Sequence, residues 1–132
     1  MGCRNVSVEQ FTAASEIAPI AAVTQRFNLL EQSSDELLAL TRDTDVVFSP
    51  WFPTGLPSQR DGDVPSTLAA AIHRVRTTYG ISLPQVSLTW LLHRSSNIVV
   101  IPGTSRPEHL AENILAAKVR LTATEFARLR LA

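Results

Sequence analysis

The chain lacks the features that mark several common protein classes. It has one cysteine, Cys3, which excludes an internal disulfide and any cysteine-rich metal site, and fits a reducing compartment. It has no charge surplus, because 12 basic and 12 acidic residues cancel. The basic face that nucleic-acid binding requires is therefore absent, and no nucleic-acid partner is expected. No apolar run approaches the roughly 20 residues of a membrane span, so no membrane association is expected. The first residues show neither the basic nor the apolar region of a signal peptide. A soluble, cytoplasmic protein is the expectation. No internal repeat and no low-complexity segment is visible. There is one tyrosine, Tyr79, and one lysine, Lys118. His73, His93 and His109 share no metal-ligand spacing and read as structural or solvated, and Cys3 reads as a small buried residue.

Hydrophobic residues make up 45% and charged residues 18%, enough apolar surface to build a core. A length of 132 residues suggests one domain or part of one. Capping-box spacing predicts helix starts at Ser7 with Gln10, Ser33 with Glu36, Ser82 with Gln85, Ser105 with Glu108 and Thr122 with Glu125. Pro19 should end the first helix. Leu68, Ile72 and Val75 predict a further amphipathic helix. Short apolar runs at Ile20–Val23, Val46–Phe48 and Ile98–Ile101 predict buried strands. Ser49–Pro65 reads as a long loop. Strands alternating with helices predict parallel βαβ units, hence an α/β fold.

The stretch from Ile98 to Asn113 carries the densest chemistry. A strand, broken by Pro102 and Gly103, runs into a helix N-terminus. Free backbone N–H groups and a positive dipole end meet there, with Thr104, Ser105 and Arg106 alongside. An anion site and an ordinary strand-to-helix turn both fit this pattern. Taken alone, Phe48 reads first as a core aromatic, Asn113 as a helix-surface amide, and Glu112 and Arg106 as solvated charges.

Five stretches, in this order, bring a family into view: Gly2–Val6 with Ser7–Gln10; Arg26–Leu30; Phe48–Pro53; Pro84–Val86 with Trp90–Leu92; and Ile101–Thr104 through His109–Leu110 to Glu112–Asn113. With them the chain resembles the C-terminal half of an aldo-keto reductase, an NADPH-dependent (β/α)8 TIM-barrel oxidoreductase. The resemblance implies a single partial domain over 1–132, holding roughly strands five to eight with their helices and only the end of strand five. It implies that Asn5 holds the nicotinamide carboxamide, that Phe48 stacks on the nicotinamide ring, and that Ser49 and Trp51 lie along the pyrophosphate. Gly103, Thr104 and Arg106 would receive the adenosine 2′-phosphate, and Glu112 and Asn113 the adenine. NADP(H) is the implied cofactor and a small carbonyl compound the implied substrate.

Two departures concern the nicotinamide end. Arg4 stands where the family usually has serine, and Thr24 where it usually has glutamine. Gln25 is not expected to take over from Thr24, because adjacent strand residues face opposite ways. The family's catalytic tyrosine, lysine, aspartate and histidine lie on the first four strands, and no residue here matches them. General acid catalysis supplies roughly 10²- to 10⁴-fold in rate, so the isolated chain is expected to be inactive. The expected function is an NADPH-dependent aldehyde or ketone oxidoreductase module. The alternative is a truncated, non-catalytic remnant that binds nucleotide or self-associates through exposed sheet edges.

Overall fold

The structure is a computed structural model and describes residues 1–55 and 64–130. The elements run β1 (Gly2–Arg4), α1 (Val8–Ile17), β2 (Ala22–Arg26), α2 (Asp35–Asp43), β3 (Val47–Trp51), α3 (Ser66–Tyr79), α4 (Leu83–Arg94), α5 (Pro107–Ala116) and α6 (Ala123–Arg128). The three strands form one parallel sheet in the order β1-β2-β3. Helices alternate with strands through β3, as the apolar patterning predicts, and four helices then follow in succession among the described residues. Of the predicted loop Ser49–Pro65, Ser49–Trp51 complete β3, and residues 56–63 lie outside the described residues.

Three of the five expected capping boxes form, at Ser7, Ser82 and Thr122. The other two do not. The Ser33 N–H is taken by the Glu31 carboxylate at 3.2 Å, and α2 starts one residue later behind Ser34. At the second site, the Thr104 hydroxyl accepts from the Arg106 N–H at 3.1 Å. Arg106, not Ser105, becomes the N-cap, with Pro107 in the first turn. The expected strand at Ile98–Ile101 shrinks to one parallel bridge, Phe48 with Ile98. Proline at 102 withholds a ladder donor, and Val99 and Ile101 are half or more exposed at 50% and 64%.

The core lies on one side of the sheet, between the strands and the helices. Val23 and Phe48 point into it from adjacent strands, against Phe27, Trp90 and Leu91. The ring of Phe27 meets Phe48 edge-on at 5.5 Å between centroids and Trp90 at 5.6 Å. Such pairs add to the burial of large apolar area. Side chains alternate across a strand, so the residues on either side of Phe48 face away from this core. In register, Arg4, Thr24 and Ser49 are neighbours across the sheet, and Arg26 adjoins Trp51.

The lone tyrosine is structural. Its hydroxyl bonds the Arg120 carbonyl at 2.9 Å and the Glu125 carboxylate at 2.8 Å, tying α3 to the start of α6. The N–H of Thr122 is the first cause that holds the Glu125 carboxyl below its ordinary 4.5, with Tyr79 and the Thr122 hydroxyl helping against burial. The hydrogen bond to Glu125 pushes the Tyr79 hydroxyl above its ordinary 10.0, helped by burial and by the Glu125 charge. A lowered carboxyl adds stability that is lost as pH falls through the acid range, and a raised phenol adds stability that is lost as pH climbs past its ordinary value. The thermal midpoint, followed by circular dichroism, should fall at both extremes. Tyr79→Phe should flatten the alkaline fall and keep most of the acid one; an unchanged alkaline fall would refute the assignment.

Candidate functional site

The residues expected to hold a ligand fall into two groups, with two exceptions. The first group sits at the C-terminal ends of β1 and β3. Asn5 follows β1 in a left-handed conformation, φ +52°, which asparagine tolerates better than most residues. Its side-chain oxygen accepts from the Trp51 indole N–H at 2.8 Å. Ser49 is half-buried on the same open face of the sheet. One aromatic, one amide and one hydroxyl thus share a surface.

The second group lines a cleft of about 270 Å³ between α4, α5 and the turn after β3. Gly103, Thr104, Glu112 and Asn113 all face it, together with Thr54, Ser82, Pro84 and His109. A Cβ at Gly103 would meet nothing within 4 Å, so the backbone there is open to a ligand's close approach. The backbone carbonyl of Glu112 accepts from the Gln85 side-chain amide at 2.9 Å, which locks α5 onto the start of α4.

Arg106 is the first exception. It lies outside the cleft lining, two-thirds exposed, with its Nε 3.8 Å from the Glu108 carboxylate. So exposed a pair is screened and holds the arginine weakly. Phe48 is the second, and corrects an expectation. Its ring is 0% exposed and packs in the core against Phe27. It faces away from the open surface and has no free face for a nicotinamide ring. The reading of Phe48 as a core aromatic holds.

Three supporting residues were missed as such. Asn28 is buried: its amide donates to the Phe52 carbonyl at 3.0 Å, and its oxygen accepts from the N–H groups of Leu30 and Glu31. Ser87 donates to the Pro53 carbonyl at 2.7 Å. Between them they pin the turn Phe52–Gly55, which carries Thr54 from the first group to the cleft. Asn97 bonds the Val46 carbonyl at 2.8 Å and the Thr41 hydroxyl at 3.2 Å, setting the position of Ile98. Asn28 stood within a recognised stretch, yet no spacing rule gives it a role. Gln25 behaves as its strand parity requires: it turns from the open face and pairs with both backbone groups of Val6, at 3.1 and 3.0 Å.

Comparison with known proteins gives this geometry a lineage. A sequence model of the aldo/keto reductase family matches residues 1–132. The chain is 34% identical over 122 residues to the pyridoxine 4-dehydrogenase of Escherichia coli, covering 92% of this chain and 40% of that protein. It is 30% identical over 129 residues to an uncharacterised oxidoreductase of Schizosaccharomyces pombe, covering 98% and 40%. Among solved structures, an aldo-keto reductase of the silkworm Bombyx mori, complexed with NADPH, superposes with a TM-score of 0.82 at 25% identity over 97% of this chain and 40% of that one. An aldo-keto reductase from Klebsiella pneumoniae, also with NADPH, gives 0.80 at 21% identity over 97% and 45%. The chain spans about two fifths of the length of these relatives. Its three-stranded parallel sheet and flanking helices are part of a TIM-barrel architecture, and the chain belongs to the aldo-keto reductase family.

Proposed function

We propose that the chain is the cofactor-holding part of an NADP(H)-dependent oxidoreductase acting on small aldehydes or ketones, and that it corresponds to strands five to eight of the family's barrel. The observation that carries this reading is the convergence of Gly103, Thr104, Glu112 and Asn113 on one cleft beside the N-terminus of α5. Those residue types suit the adenosine end of a dinucleotide. Backbone N–H groups and the Thr104 hydroxyl meet phosphate oxygens at the positive helix end. The Asn113 carboxamide and the Glu112 carboxylate supply a donor and an acceptor for the adenine edge. Arg106 exchanges its weak 3.8 Å contact with Glu108 for the 2′-phosphate, whose higher charge and oxygens allow a bidentate pair with the guanidinium. Along the sheet, Asn5 offers its amide N–H₂ to the nicotinamide carboxamide, and Ser49 and Trp51 flank the pyrophosphate.

The cofactor supplies a hydride when bound. Among the described residues, the one phenol is committed to Glu125 and Arg120, far in function from a proton donor. The isolated chain therefore holds cofactor without turning over substrate. Titration followed by NADPH fluorescence should give saturable binding of about 10 μM or weaker, and no aldehyde-dependent NADPH oxidation. No binding at millimolar cofactor by a folded chain would overturn the reading, and submicromolar affinity would contradict the damage assigned to Arg4 and Thr24.

A second reading is supported by apolar exposure. Val99 and Ile101 at the sheet edge, and Leu110 and Ile114 one turn apart on α5, are all exposed. Such surface favours self-association or completion by another segment. Sedimentation of the same samples tests it; a single monomeric species at micromolar concentration removes it.

A further inference from the structure

The open face of the sheet carries a positive centre that the cofactor reading does not use. Arg4, Thr24 and Ser49 are Cα partners across β1, β2 and β3, so one guanidinium and two hydroxyls project from one row. The Arg4 guanidinium lies 5.8 Å from the centroid of the Trp51 ring, and the Arg26 guanidinium lies 5.8 Å from the same centroid. Arg26 is also 5.7 Å from the Phe52 ring. The bond from the Trp51 indole to Asn5 fixes the ring between them. Arg4 makes no ion pair with any described residue. Cation–π attraction at a partly exposed ring is weak and leaves the Arg4 guanidinium open to an anion. An oxyanion seated on the row meets the planar fork of Arg4. The row joins the last residue of β1 to the middle residues of β2 and β3.

We propose that Arg4 is a specificity residue: it recognises a carboxylate on the substrate, and the substrate class is small oxo acids, carbonyl compounds that also carry a carboxylate. This rests on the oxidoreductase reading for the carbonyl and on Arg4 itself for the acid. Thr24, the register neighbour of Arg4, donates a hydroxyl hydrogen bond to the same anion.

The test uses the full chain and the emission of Trp51, with succinate as the probe and its neutral diamide, succinamide, as control. Succinate should change the emission saturably at millimolar concentration, and succinamide should not. Arg4→Ser should weaken the succinate response about tenfold or more, with the far-ultraviolet dichroism unchanged because Arg4 is exposed. Trp51→Phe should abolish the signal, which separates it from buried Trp90. Equal responses to the two probes, or an undiminished response in Arg4→Ser, would overturn the proposal. Displacement of succinate by NADPH would also overturn it, by reassigning the anion to the cofactor's diphosphate. NADPH binding is read separately from its own fluorescence. Loss of that binding with succinate binding intact sinks the oxidoreductase reading alone, and the reverse pattern sinks the role of Arg4 alone.

Discussion

Replacing Phe48 by alanine is expected to remove a large part of the stability of the chain. The ring is wholly buried, packs edge-on against Phe27, and through it reaches Trp90. Truncation of a buried phenylalanine costs about 3–5 kcal/mol, because the lost transfer energy adds to that of the cavity left behind. Small domains hold only about 5–15 kcal/mol in total. The urea midpoint followed by circular dichroism should therefore drop steeply. Phe48→Leu, which refills part of the volume, should recover a large part of the loss. The outcome also discriminates between two assignments. A ring that stacked on a ligand from the open face would tolerate alanine within about 0.5 kcal/mol, as exposed positions do. A near-normal midpoint for Phe48→Ala would return Phe48 to the ligand and contradict the packing described above.

The second large effect is expected at Asn28. Its side chain satisfies three backbone groups at once, the carbonyl of Phe52 and the N–H groups of Leu30 and Glu31. Asn28→Ala strands the Leu30 N–H, while the Glu31 N–H keeps the main-chain carbonyl of residue 28 at 3.1 Å and the Phe52 carbonyl keeps the Gly55 N–H at 3.2 Å. A stranded buried group costs about 1–3 kcal/mol, and the two weakened groups add to it. Gly55 reports on the same clamp. Its φ is +51°, and a Cβ there would stand 2.5 Å from the Asn28 side-chain oxygen. Gly55→Ala should thus be strongly destabilising in the natural chain and milder when Asn28 is already alanine. Denaturant midpoints of the two single variants and the double variant would show this coupling. Strict additivity would separate the two residues and refute the clamp. Because the turn also carries Thr54 into the cleft, Asn28→Ala should weaken NADPH binding more than its distance from the cofactor suggests.

Much of the architecture was legible in local chemistry. Ser7, Ser82 and Thr122 cap helices where the spacing said they would, because each has its own glutamine or glutamate three residues on and nothing nearby competes. The two failures share a cause. At Ser33 the Glu31 carboxylate takes the N–H that Glu36 would have accepted, and at the second site the Thr104 hydroxyl bonds the Arg106 N–H as the cap moves one residue on. A spacing rule sees the partner it looks for and not the rival beside it. Strand positions were displaced by up to three residues, as at Ile20–Val23 against Ala22–Arg26, because apolar runs mark burial whereas pairing depends on the neighbouring strand.

The site was legible in part for similar reasons. Gly103, Thr104, Glu112 and Asn113 lie close in sequence on one turn and one helix, so their meeting needed little tertiary knowledge. Ser82 and Thr54, which complete the cleft, come from distant segments that only the fold brings in. Phe48 shows the limit most clearly. Its place in the chain matched a ligand-stacking position, but strand parity in this sheet turns it toward Phe27.

The single bridge between Phe48 and Ile98 has a kinetic meaning. Two backbone bonds, from Phe48 N–H to the Asn97 carbonyl at 2.9 Å and from Val99 N–H to the Phe48 carbonyl at 3.0 Å, align this edge with β3. Asn97 is itself tied to Val46, so the alignment does not depend on the ladder that would follow. The seam is nucleated without being propagated. A slip of one residue would turn every side chain of an added strand to the wrong face. With the first rung already in place, whatever covers Val99 and Ile101 extends an existing register instead of selecting one.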